Sequence, residues 1–257
     1  MTMTAAKALL GMALGSALAA QAATTVTAWT FDNLAVATNN APAASTGTGS
    51  ATPLGMTNNY TYSNAVTGSV ATADVLALAS GGNEWRVRGT NPGNGWNLAA
   101  PQYTQGAQFS VSTVGYSGIS FKYDWFSTTQ GIRDLQAQYT ADGVTWINVG
   151  PLQVASPNAY ITGLTIDLTG VAAVNNDANF GIRLVSAYDP TYSLAQTYTS
   201  ATLTNGSPVV YNNSSGNWRF DNVSVIAAAA VPEPASLALL AAGLSVLAAA
   251  ARRRRRG

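Results

Sequence analysis

Strict alternation of apolar and polar side chains governs the middle of this chain. Ile119, Phe121, Tyr123 and Trp125 fall on one parity and Ser120, Lys122 and Asp124 on the other; Leu135, Ala137 and Tyr139 alternate in the same way with Gln136 and Gln138. A two-residue period gathers apolar side chains on one face only if the backbone is extended, so each run reads as a half-buried antiparallel strand. Comparable segments lie at 26–31, 85–88, 109–112, 145–149, 160–168, 180–185 and 218–226, which makes nine strands in all. No stretch of the body carries a convincing amphipathic helical pattern. The architecture this predicts is all-β, a two-sheet antiparallel β-sandwich, with jelly-roll connectivity preferred.

Residues 35–73 break the pattern. They are dominated by Ala, Thr, Asn, Ser and Gly, and Pro42 and Pro53 interrupt them. Few large apolar side chains are present to anchor them, so they read as a long loop with room for one short strand. In 139–146, Asp142-Gly143 sits between two alternating runs, which predicts a tight hairpin with positive φ at both central residues and Trp146 in the core. The segment also resembles an Asp-box, one residue short, and that resemblance implies structure rather than catalysis.

Chemistry is limited by what the chain lacks. Of 257 residues 9% are charged, and there is neither Cys nor His. A disulfide framework, a thiolate zinc site and a Ser-His-Asp triad are therefore excluded. The body holds six cations, Arg86, Arg88, Lys122, Arg133, Arg183 and Arg219, against ten acids. A mildly acidic body with no basic stripe makes nucleic acid an unsuitable partner. Glycosidase chemistry needs two carboxylates facing across a cleft, and no such pair stands out, so the expectation is a protein that is not an enzyme.

Both ends read as addresses. Residues 1–22 form a secretory signal peptide: Lys7, an apolar run over 8–20, and a small-x-small site ending at Ala22, which leaves Ala23 as the mature N-terminus. The body is expected over 23–226, with a small-residue linker at 227–230. Then come Pro232, Glu233 and Pro234, seventeen uncharged residues at 235–251, and Arg252, Arg253, Arg254, Arg255 and Arg256. Seventeen helical residues reach about 25 Å, just enough for a transmembrane helix. The arginines hold the C-terminus in the cytoplasm, and the signal peptide puts the body on the other side.

The order Pro-Glu-Pro, apolar helix, arginine cluster over 231–257 resembles the PEP-CTERM sorting signal of exported proteins in Gram-negative bacteria that make extracellular polysaccharide. The resemblance implies passage through the secretion machinery and signal peptidase, then transient anchoring in the inner membrane with the body in the periplasm. It further implies tail removal by an exosortase, a membrane protease-transpeptidase, and delivery to the cell surface or extracellular matrix. The two prolines cannot join a helix interior, so they hold Glu233 in the extended segment a protease needs. The alternating body, closed by 218–223, is similar to the jelly-roll domains common among PEP-CTERM cargo and, through them, to carbohydrate-binding modules.

The function expected is a non-catalytic structural role at the cell surface or in the matrix, in association with exopolysaccharide and biofilm. Two alternatives remain, a carbohydrate-binding module with a defined glycan site and an exported glycoside hydrolase or lyase. Sugar rings lie on exposed aromatic faces beside amides, which singles out Trp85 and Trp96 with Asn94 and Asn97, together with Asn83 and Asn91. By contrast Trp125, Trp146 and Trp218 read as core. No cofactor is required. The jelly-roll resemblance does imply a structural calcium near the termini, for which Asp32 and Asp221 are the candidates. Trp218 and Phe220 are out of phase with Val223 and Val225, so a bulge is expected at Asp221.

Overall fold

The computed structural model describes residues 23–32, 41–55, 58–63, 83–88, 96–211 and 216–228. The signal peptide and the sorting tail lie outside the described residues, as do Asn91 and Asn94. The described chain forms thirteen strands in order: β1 Ala23–Trp29, β2 Ser50–Leu54, β3 Asn58–Ser63, β4 Asn83–Arg88, β5 Gly106–Ser110, β6 Ser117–Ser127, β7 Asp134–Thr140, β8 Ile147–Val154, β9 Ala159–Asp167, β10 Gly181–Ala187, β11 Thr199–Thr204, β12 Ser207–Val210 and β13 Trp218–Ala228. One 3₁₀ turn, Ala172–Val174, precedes β10.

All strand pairs are antiparallel. One sheet runs β3-β4-β13-β6-β9 with β1 also on β13, and the other runs β2-β5-β10-β7-β8. From β4 onward the chain passes back and forth between them, and the quartets β4-β13-β6-β9 and β5-β10-β7-β8 reproduce the order of a jelly roll. The sandwich expected from the alternation is therefore the fold. β11 and β12 form a separate hairpin.

The core is aromatic. Trp29, Trp85, Trp125, Trp218, Phe109, Phe121 and Phe220 are all buried between the sheets. Phe109 is the hub: its ring centroid lies 5.2 Å from Trp29, 5.9 Å from Trp85 and 5.5 Å from Phe121. Edge-on and tilted packing of this kind suits the ring quadrupoles and adds to the burial of large apolar area.

Three departures from the sequence reading have simple causes. The 35–73 segment contains two strands, β2 and β3, rather than at most one. Pro53 sits in β2, the edge strand beside β5 in the described sheet, and an edge has no use for the missing N–H on its open side. β13 runs two residues into the expected linker, because buried Ala227 pairs with Thr24 on one side and Ile119 on the other; a small residue wedged between strands has the composition of a linker. The Asp-Gly segment is not a two-residue turn. Tyr139 pairs with Ile147, and of the two central residues only Gly143 takes a positive φ, at 74°.

The expected bulge is present. Asp221 pairs with Asp124, but Ser224 pairs with Lys122, so β13 carries one residue more than β6 across this interval, and Asn222 turns to φ 48°. A second irregularity faces it in β9, where Gly163 has φ 68°. Asp124 ties the two together: it accepts from Gly163 N at 2.6 Å and from Asn222 Nδ2 at 2.9 Å.

Candidate functional site

The outward face of the β2-β5-β10-β7-β8 sheet carries a polar row that crosses all five strands. Thr52 pairs with Gln108, Gln108 with Arg183, Arg183 with Gln138, and Gln138 with Asn148. Parity explains the row. Ala51, Phe109, Ile182 and Leu184, Ala137 and Val149 point inward, so their polar neighbours must point out. The adjacent row, Ser50, Ser110, Gly181 and Thr140, is of hydroxyls and one glycine.

Trp146 lies across this face. Its ring centroid is 3.9 Å from the guanidinium carbon of Arg183, close enough for a cation–π contact. Gly181 makes room beneath it, since a Cβ there would stand 3.0 Å from the Trp146 ring. The loop that delivers the ring is held by Asp142, whose Oδ1 accepts from Thr145 N at 2.6 Å, Val144 N at 2.8 Å and the Thr140 hydroxyl at 2.8 Å. These bonds favour the charged form and hold the Asp142 carboxyl well below the usual carboxylate range. Arg183 in turn donates from Nε to Gln108 at 2.8 Å, and Gln138 donates to Asn148 at 2.8 Å. A depression of about 290 Å³, lined in part by Ser110, Gly143, Asn179 and Phe180, adjoins the row.

Trp146 is therefore half-buried on an outer face, not in the core as its alternation suggested. A usable signal was present. Trp146 and Asn148 share a parity, and Asn148 is exposed. The opposite correction applies to the expected platform: Trp85 and Trp96 are 0% and 3% exposed. Trp85 packs on Phe31, Phe109 and Phe220. Trp96 meets Trp218 edge-on at 4.5 Å, and its backbone N donates to the Tyr211 hydroxyl. Turn-forming neighbours disguised a core residue. Asn97 is exposed, but its Oδ1 accepts from Ala99 N and its backbone N donates to Gln105, which makes it a turn-builder. Asn83 is buried and donates to the Asp32 carbonyl.

Asp32 and Asp221 differ in setting, the first exposed and the second buried. β1 meets β13 from Val223 onward, with Trp29 as its last paired residue, so Asp32 lies past the ladder and is exposed. Asp221 is buried opposite Asp124, and its Oδ1 accepts from Asn222 N at 2.7 Å. Among the described residues there is no group of three or more acidic, His or Cys side chains that could hold a metal ion.

Two further clusters of ionisable groups are internal. On the outer face of the other sheet, Arg219 binds Glu84 at 2.7 Å, and Tyr160 donates its hydroxyl to the same carboxylate. At the margin of β7, Arg133 binds Asp189 at 2.6 Å, while Thr199 donates to Asp189 at 2.9 Å and lies 3.5 Å from Asp134. Burial, with the neighbouring Asp189 charge, pushes Asp134 up to about 6.

The comparisons with known proteins bear mainly on the tail. Residues 230–256 match the family of the PEP-CTERM protein-sorting motif, which marks the chain as an exported exosortase substrate held transiently at the membrane. No helix among the described residues is long and apolar enough to cross a membrane, and the apolar run at 235–251 lies outside them. No curated protein matches the chain. Among solved structures, it is similar to a cyclase from Fischerella sp. TAU, with 14% identity, 68% of this chain and 76% of that one covered, and a TM-score of 0.36. It is similar also to the apo form of a Fischerella sp. cyclase, with 14% identity, coverage of 86% and 93%, and a TM-score of 0.35. A third is the N-terminal cellulose-binding domain of Cellulomonas fimi β-1,4-glucanase C, with 10% identity, coverage of 56% and 78%, and a TM-score of 0.28. Likenesses at this level assign no activity.

Proposed function

We propose that this chain is a non-catalytic protein of the cell surface or extracellular matrix that associates with the cell's own exopolysaccharide after exosortase has removed its tail. The observation that carries this reading is the sorting motif at 230–256, because it commits the chain to export. The body suits the destination. Of its outer rows, Ser50, Thr52, Gln108, Ser110 and Asn148 reach solvent and present hydroxyls and amides, the groups that exchange hydrogen bonds with sugar hydroxyls without a large desolvation cost. Its acids are spent on structure: Glu84 and Asp189 in ion pairs, Asp142 in a loop, Asp124 between two backbone irregularities.

The second reading, a defined glycan site of the carbohydrate-binding-module kind, is favoured by one arrangement, Trp146 set over Arg183 among Gln108, Gln138 and Asn148. Weak contacts on such a face become retention when a polymer offers many copies of its repeat. The test of the main reading is fractionation of the producing cells. The protein should co-purify with the isolated extracellular polysaccharide and appear free in the medium when polysaccharide synthesis is deleted. Equal distribution in both strains would refute the association.

A further inference from the structure

We propose that the Arg183 face recognises a carboxylate-bearing polysaccharide, one whose repeat contains a uronic acid or a comparable acidic sugar; this rests on the polysaccharide association proposed above and names its chemistry. Arg183 is the only charged member of its five-strand row, the others being Thr52, Gln108, Gln138 and Asn148. Among the described residues it has no carboxylate within ion-pair distance, whereas Arg133 and Arg219 each have one. Its geometry is fixed on two sides, by the Trp146 ring at 3.9 Å and by the bond from Nε to Gln108. A guanidinium held by its Nε edge keeps its terminal N–H groups for a planar acceptor, and carboxylate matches that fork better than a hydroxyl does.

The surroundings reinforce the choice. Partial burial disfavours the cation and lowers the Arg183 pKa, so a bound anion would relieve a cost the fold already bears. An aromatic ring beside the cation supplies the apolar surface on which a sugar ring lies; the partly exposed Gln108 and the exposed Asn148 supply amide groups for its hydroxyls, while Gln138 is buried and holds Asn148 in place. A neutral glycan would use the amides and Trp146 but leave the guanidinium without an anion. An acidic one uses all three.

The experiment compares the full-length chain, purified in detergent and with Arg252, Arg253, Arg254, Arg255 and Arg256 replaced by Gln in every sample so that the tail adds no cationic retention, on polygalacturonate and on fully methyl-esterified polygalacturonate, two polymers that differ in charge and share a backbone. The expected result is retention on the free acid that exceeds the ester by about tenfold, the size of one charge-assisted hydrogen bond to a charged group. Arg183→Gln, which keeps an amide in the row, should abolish that difference with an unchanged melting temperature, and Arg183→Lys should restore part of it. Should Arg183→Gln fail to fold, the wild-type chain provides a second measurement, because its preference for the acid should vanish as sodium chloride is raised to about 1 M. Equal retention on acid and ester, or a preference that survives Arg183→Gln in a folded protein, would overturn the proposal. Co-purification with the cell's own polysaccharide, run in parallel, separates the two claims. If the wild type co-purifies and shows no acid preference, only the carboxylate assignment fails; if it does not co-purify at all, the association itself fails.

Discussion

Arg219 and Glu84 form an ion pair 2.7 Å long between β13 and β4, with both side chains almost wholly withdrawn from water. Burial raises the Glu84 pKa, and the Arg219 charge and the Tyr160 hydroxyl pull against that rise. Phe126 lies 4.6 Å from the guanidinium. Such a pair adds little over a well-packed apolar substitute, but removing one partner strands a buried charge. Arg219→Met should therefore destabilise the body by about 3–5 kcal/mol, read from urea unfolding. Adding Glu84→Gln should recover part of the loss, since the stranded carboxylate is gone. Strictly additive losses would show that the two residues are not coupled.

Asp134 gives the body a pH dependence of definite sign. Its carboxyl is raised from 3.8 to about 6 in the fold, so between those values the unfolded chain releases a proton that the folded chain keeps. Stability must then fall as pH rises from about 4 to about 6 and level off above, by an amount on the order of 2 kcal/mol from this group. Asp134→Asn should flatten that part of the profile and raise the melting temperature at pH 7. A stability profile unchanged by the substitution would contradict the assignment.

Trp96 is now a core residue, and its substitution should behave accordingly. Trp96→Ala removes the edge-on contact with Trp218 and leaves a void, costing about 3–5 kcal/mol, and Trp85→Ala should match it. Both would appear as early melting. Normal melting with impaired glycan retention would instead restore these rings to the surface.

Trp146 should do the reverse. Trp146→Ala is expected to lower retention on polysaccharide several-fold through loss of stacking, with a small effect on melting, because the ring is half-buried on an outer face. Asp142→Ala, which frees the loop carrying the ring, should weaken retention in the same direction. Unfolding of the Trp146 variant at low temperature would return that residue to the core.

Alternation made the sandwich legible, because the apolar parity of β6, β7 and β10 faces the core, with Phe126 and Val185 as apolar exceptions on the other parity. The phase slip between Phe220 and Val223 marks the bulge in the sequence itself, since an extra residue in a strand shifts its parity. The site was harder to read. Aromatic side chains look alike at the level of sequence whether they plug a core or cover a face, and the turn residues and amides around Trp96 suggested exposure where the ring packs edge-on against Trp218. The row through Arg183 joins residues as far apart as Thr52 and Asn148. Only the strand order brings them into line, and no local pattern encodes that order. The strands β2 and β3, at the edges of the described sheets, escaped for a related reason: their sequences, SATPL and NNYTYS, hold few apolar residues.

The central claim is that this chain is exported, held briefly in the membrane, and released from its tail. Intact mass of the protein recovered from the surface of the producing cells tests it most directly. The account predicts a chain that begins at Ala23 and lacks everything beyond the Pro232-Glu233-Pro234 region, and predicts that neutralising Arg252, Arg253, Arg254, Arg255 and Arg256 impairs this processing. A surface protein that still carries the five arginines would contradict it.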